Sequence, residues 1–197
     1  MKISLFAMML VALAFIFLYS CGQDAGSSSE PEVIISKDSL VRRGAYLVNT
    51  MLCDDCHSPK RIGSNGPEII PELRLSGARH DTKLPPADTS YIKNGWTLFN
   101  EDFTSIAGAW GVSFAGNLTS DETGIGNWSE EQFKKAITKG KYKGLDNSRS
   151  LLPPMPWPQF SHLNDADIKA IYTFLKSTPP VKNVVPAPRS LEDIVAK

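Results

Sequence analysis

The feature that most constrains this chain is the run Cys53-Asp54-Asp55-Cys56-His57. Two thiols three positions apart on a tight helical turn can each add to one of the two vinyl groups of a heme. The imidazole that follows at once then lies under the iron as its proximal ligand. The spacing predicts one covalently attached heme c, bonded through Cys53 and Cys56, with His57 on the iron. Two other uses of such a run compete. A structural zinc site needs a closed set of four ligands, and only the isolated His80 and His162 remain to complete one. A redox dithiol needs a βαβ context, which this Pro-punctuated chain does not suggest.

A six-coordinate iron needs a second ligand, and Met155 stands in Leu151-Leu152-Pro153-Pro154-Met155-Pro156-Trp157-Pro158. Prolines on both sides restrict the backbone, which suits a loop that must hold a flexible thioether in one place. Met51 is too near Cys53 to reach the opposite face, and Met1, Met8 and Met9 belong to the N-terminal apolar stretch. His80 is the next candidate for the distal position. Trp157 and Phe160 are placed to cover an exposed heme edge.

The third cysteine, Cys21, has a different setting. Lys2 precedes an apolar stretch from Leu5 to Tyr19, short for a membrane span but suited to a secretory signal. Leu18-Tyr19-Ser20-Cys21 then reads as a lipoprotein signal, with Cys21 as the lipidated residue, although Tyr19 is bulky for that pattern. An uncleaved N-terminal helix is the alternative, and either arrangement tethers the protein to a membrane. Several acyl chains would anchor it stably, where one holds only marginally. Residues 22–31 are polar and small, as a tether would be. The expected organisation is a signal over 1–20, a linker over 21–36, a folded domain over 37–181 and a tail over 182–197 that either packs or trails. Lys plus Arg number 21 and Asp plus Glu number 21, so no basic excess points to nucleic acid.

Periodicity predicts three helices. Residues 37–52 place Leu40, Val41, Gly44, Leu47 and Val48 at helical spacing and lead into the cysteine run. Gly44, a weak helix former, suits a close crossing with another helix. Its partner is expected at Asp165 to Ser177, where Ile168, Ile171, Phe174 and Leu175 form a face, Asn164 and Asp167 cap the start, and Pro179 and Pro180 follow the end. Glu130 to Lys139 follows Ser129, with Gln132 three residues on, as in a capping box. Strand signals are sparse. The expected fold is all-α, a helical domain around a covalent heme, with a long irregular insertion before the middle helix. That insertion, from Pro67 to Gly116, carries Trp96, Phe99, Phe103 and Trp110. The favoured reading is that it wraps the heme edge with apolar surface, and the rival is a partner-docking surface.

Arg43-Gly44-Ala45-Tyr46-Leu47 before the cysteine run and Asp167 to Leu175 after Met155 resemble class I cytochrome c domains. Asn117 to Trp128 and the Pro-Pro-Met-Pro-Trp run resemble segments of the cytochrome c subunits of bacterial membrane-bound dehydrogenases. Many of those relatives carry two or three heme domains, whereas this chain has one C-x-x-C-H. The resemblance implies a one-electron carrier between a redox donor and acceptor, on the periplasmic side of a bacterial membrane, with no small-molecule substrate and no catalysis of its own. It also implies a proline-associated carbonyl as acceptor for the proximal imidazole, with Gly66-Pro67 as the positional candidate. The alternatives are a fixed heme subunit of a dehydrogenase complex and an open-site heme sensor or enzyme.

Overall fold

In the computed structural model, residues 36–194 are described. The expected signal, the linker and Cys21 lie outside them. Helix α1 spans Lys37–Thr50 and begins at Ser36, whose hydroxyl accepts the Ser39 N–H at 3.2 Å. It buries Gly44, Leu47 and Val48. Helix α6, Asp165–Ser177, buries Ile168, Ala170, Ile171 and Leu175. Its cap is Asn164, which accepts the Asp167 N–H at 2.8 Å while its own amide donates to the Asp167 carboxylate at 3.1 Å. The two helices pack together along these faces. A Cβ on Gly44 would overlap the Ala170 carbonyl and lie 2.6 Å from the Phe174 Cβ, so the expected close crossing is there. The Arg43 guanidinium spans it, reaching Asp167 at 2.8 Å.

Phe133 and Ile137 of helix α4, Glu130–Lys139, join Leu75 and Ile125 in the same core. Ser129 caps α4 by accepting the Gln132 N–H at 3.1 Å, but the Gln132 amide does not turn back to the cap. It donates to the Lys143 carbonyl at 2.8 Å and so fastens the chain beyond the helix.

The all-α expectation is corrected by the insertion. Helix accounts for 37% of the fold and strand for 14%, so the class is mixed α/β. Strands β1, Lys60–Gly63, and β2, Gly66–Ile69, form an antiparallel hairpin, with Lys60 opposite Ile69 and Gly63 opposite Gly66. The short helix α3, Ser90–Lys93, precedes β3, Leu98–Phe99. With β4, Ser105–Gly108, and β5, Gly111–Phe114, β3 makes an antiparallel sheet in the order β3-β4-β5. The physical reason is local. Gly66 at φ 112° and Gly111 at φ 98° supply the left-handed backbone beside two tight reversals, and the strands they join are too short to show a clear alternation.

This sheet has its own small core of Ile92, Ala107, Val112 and Ile194. The C-terminal segment belongs to it. Val112 and Arg189 exchange backbone bonds at 2.8 and 3.1 Å, and Asn183 donates to the carbonyls of Ser76 and Ala78 at 2.7 and 2.9 Å. Residues 182–194 therefore pack on the domain. Of the insertion's aromatic residues, Phe114 packs against this core, whereas Trp96, Phe99 and Phe103 are 66%, 49% and 40% exposed.

Candidate functional site

Helix α1 hands the chain to the cysteine run within two residues. Leu52 takes a left-handed conformation, φ 59° and ψ 31°, and the five-residue helix α2, Cys53–His57, starts at once. A left-handed non-glycine residue costs roughly 1 kcal/mol or more. What it gives is direction, since Cys53 returns to the main core against which α1 packs. Cys53 and Cys56 are free and half-buried on one helical turn.

Those thiols are poorly set up as redox partners. Burial pushes Cys53 up to about 11, with the neighbouring Asp54 carboxylate adding to it. Burial raises Cys56 as well, against the pull of Lys60. A reactive dithiol needs the opposite shift. The zinc alternative also finds no support, because among the described residues no three His, Cys, Asp or Glu side chains gather as a metal site.

His57 is half-buried, and its Nδ1 lies 2.8 Å from the Gly116 carbonyl oxygen. A carbonyl only accepts, so Nδ1 carries a proton, and in the neutral ring the lone pair then lies on Nε2. Burial also lowers the imidazole's pKa, which favours the neutral ring. The acceptor is thus Gly116 and not the Gly66-Pro67 pair, which lies in β2 of the hairpin. Gly116 is exposed, with open space where a Cβ would stand. Two thiols on one turn and an imidazole oriented through Nδ1 make a donor set that fits a covalently held heme.

The turn is fastened by residues that motif reading passed over. Asp54 accepts from Arg74 through Nε at 3.0 Å and Nη2 at 2.7 Å, and from the Ser58 hydroxyl at 2.6 Å. Arg74 also donates to Asn49 near the end of α1, at 2.8 Å. The Lys60 ammonium donates to the carbonyls of Asp55, Ser58 and Asp102 at 2.6, 3.0 and 3.1 Å, joining α2 to the insertion. The available signal was charge inside the motif, since Asp54 and Asp55 need cationic partners. Arg74→Gln is expected to cost about 1 to 2 kcal/mol, because the Asp54 side chain is only 13% exposed and loses its bidentate partner. The urea midpoint, compared with that of the more exposed Arg79→Gln, checks this.

Met155 is half-buried in the proline loop, ahead of the short helix α5, Trp157–Phe160. His80 and His162 are exposed, and the His80 backbone N–H is held by the Asn183 side chain at 3.0 Å. Trp157 lies over Gly140, where a Cβ would overlap the indole, and Phe160 packs on the main core. An apolar cavity inside the insertion, between Leu84, Leu98, Ile106 and Val112, holds about 50 Å³. That is far below the roughly 300 Å³ or more of ordinary cofactor pockets.

No family model matches the chain. It is similar to the gluconate 2-dehydrogenase cytochrome c subunit of Pantoea cypripedii, 31% identical over 140 residues, which are 71% of this chain and 23% of that one. The cytochrome c subunit of the quinone-type alcohol dehydrogenase of Gluconobacter oxydans is 43% identical over 65 residues, 32% of this chain and 13% of that subunit. The fructose dehydrogenase cytochrome subunit of Gluconobacter japonicus is 24% identical over 170 residues, 83% of this chain and 27% of that subunit. The chain thus matches no more than about a quarter of the length of these three relatives.

Proposed function

Because this chain is a cytochrome c-like protein, related to the cytochrome c subunits of bacterial dehydrogenases, we propose that it is an exported single-heme electron carrier, tethered to a membrane through Cys21. The observation that carries this reading is the His57 hydrogen bond to Gly116, which puts the lone pair of the neutral ring on Nε2, next to two free cysteines in the same short helix. When bound, a heme would supply one-electron chemistry by cycling its iron between ferric and ferrous states. The chain's own residues do the rest. Cys53 and Cys56 would hold the cofactor, each thiol adding its S–H across one vinyl group. The His57 Nε2 would be a ligand to the iron, with the Gly116 carbonyl fixing the ring and raising its basicity.

Met155 would supply a thioether ligand to the iron, which favours the ferrous state and raises the potential. The folded domain works on the periplasmic side, taking an electron from one redox protein and giving it to another. A second reading draws on the relatives' names, all of them subunits of dehydrogenases: the chain is then a fixed heme subunit of such a complex.

The test is a reduced-minus-oxidised absorption spectrum of the exported protein before and after acidified-solvent extraction. The expected result is a c-type heme that stays with the polypeptide, together with the weak far-red band of a thioether on ferric iron. A protein that yields no heme, or gives it up to the solvent, overturns the reading. Copurification with a larger dehydrogenase polypeptide at a fixed ratio favours the subunit reading over the free carrier. Cys21→Ser is expected to move most of the protein from the membrane to the soluble fraction, whereas retention on the membrane rejects the lipid anchor.

A further inference from the structure

The proline loop is short of ways to hold itself in place. From Leu152 to Pro158, Pro153, Pro154, Pro156 and Pro158 have no N–H, and the N–H groups of Met155 and Trp157 bond within the loop, to Leu152 at 3.3 Å and to Met155 at 2.9 Å. Among the described residues, one hydrogen bond reaches this stretch from a distant part of the chain. It is donated by the Ser113 hydroxyl to the Pro153 carbonyl at 2.7 Å.

Ser113 is well placed to give it. It is 7% exposed on β5, and its oxygen accepts from the Trp110 indole N–H at 3.3 Å. Its other acceptor, the Ile106 carbonyl, is farther away at 3.3 Å. Two residues on, Ala115 is held on both sides, donating to Thr104 at 2.9 Å and accepting from Ala78 at 2.9 Å. Gly116 follows with its carbonyl on His57. One strand and its extension thus touch both the proximal histidine and the loop that carries Met155.

We propose that Ser113 is a positioning residue for Met155, and that the insertion's sheet sets how often the distal face of the heme stands open. The inference rests on the heme reading above. A hydrogen bond of this kind contributes roughly 1 kcal/mol net, so losing it should raise the open fraction about fivefold. An external ligand that displaces the thioether reports that fraction directly, since its apparent dissociation constant falls as the open fraction rises.

The experiment is an imidazole titration of the oxidised full-length protein, for wild type, Ser113→Ala, Ser113→Thr and Ser113→Val, at a temperature well below unfolding. Ser113→Ala is expected to keep its covalent heme and bind imidazole about fivefold more tightly. Threonine and valine have nearly the same volume and differ in the hydroxyl. Their comparison therefore holds even if alanine misfolds: Ser113→Thr should stay near wild type and Ser113→Val should follow the alanine result. Imidazole affinities within twofold of each other for threonine and valine, in proteins that keep the far-red band, overturn the proposal. A wild-type protein with heme but no far-red band removes Met155 as ligand and this inference with it, while the covalent heme reading stands.

Discussion

Replacing Gly44 with alanine is expected to destabilise the protein by about 2 to 3 kcal/mol, although the same change in an exposed helix would stabilise it by about 1 kcal/mol. The sign follows from the crossing of α1 with α6. An added methyl overlaps the backbone carbonyl of Ala170, and it also meets the Phe174 Cβ at 2.6 Å. Neither obstacle is the end of a flexible side chain, so the helices must separate. Separation loosens Leu47 and Val48 from Ile168, Ile171 and Leu175, the centre of the main core. A domain of this size loses about 2 to 4 °C in Tm per kcal/mol, so the melt should fall by roughly 5 to 10 °C. The heme spectrum at low temperature should change little, because Gly44 faces Ala170 and Phe174 and none of the proposed ligands. An unchanged or higher Tm would mean that the crossing has room, and that Gly44 is there for another reason.

That glycine also shows what was legible in the sequence. Its place in an otherwise apolar helical face predicted a close approach, and the Asp165–Ser177 partner was readable from its own periodicity, its Asn164 cap and its following prolines. Helix signals of this kind repeat over three turns or more and survive tertiary context. The insertion offered nothing comparable. Its strands have two to four residues, and their pairing depends on glycines at the turns and on a tail bond from Arg189 that lies 77 positions from Val112. Its aromatic residues did not mark the sheet's centre, which is Ile92, Ala107, Val112 and Ile194 with Phe114 packed against it, while Trp96 faces solvent.

The site divides in the same way. The cysteine run and its histidine announce themselves, because the chemistry demands adjacent residue types at one spacing. The carbonyl that orients His57 comes from Gly116, 59 positions away, and any residue has a carbonyl to offer. The bidentate Arg74 and the carbonyl-bound Lys60 are equally mute in a sequence, for they act through backbone oxygens and through a carboxylate whose partner only folding can choose.

Replacing Met155 with alanine should have the largest effect on the redox chemistry. Under the proposed ligation the iron loses a soft thioether and gains water or hydroxide, harder ligands that favour the ferric state. If that preference changes by about 2 to 3 kcal/mol, the potential falls by roughly 90 to 130 mV, at about 59 mV per tenfold change for one electron. The far-red band should vanish, and the reduced protein should take up carbon monoxide, which the wild type resists. Covalent attachment should survive, since Cys53, Cys56 and His57 are untouched. The loop itself should keep its place, because the Ser113 bond goes to the Pro153 carbonyl and not to the lost side chain. The companion variant is His80→Ala, at the exposed histidine that is the next candidate for the distal position. A fall in potential with His80→Ala and none with Met155→Ala would transfer the distal position to His80.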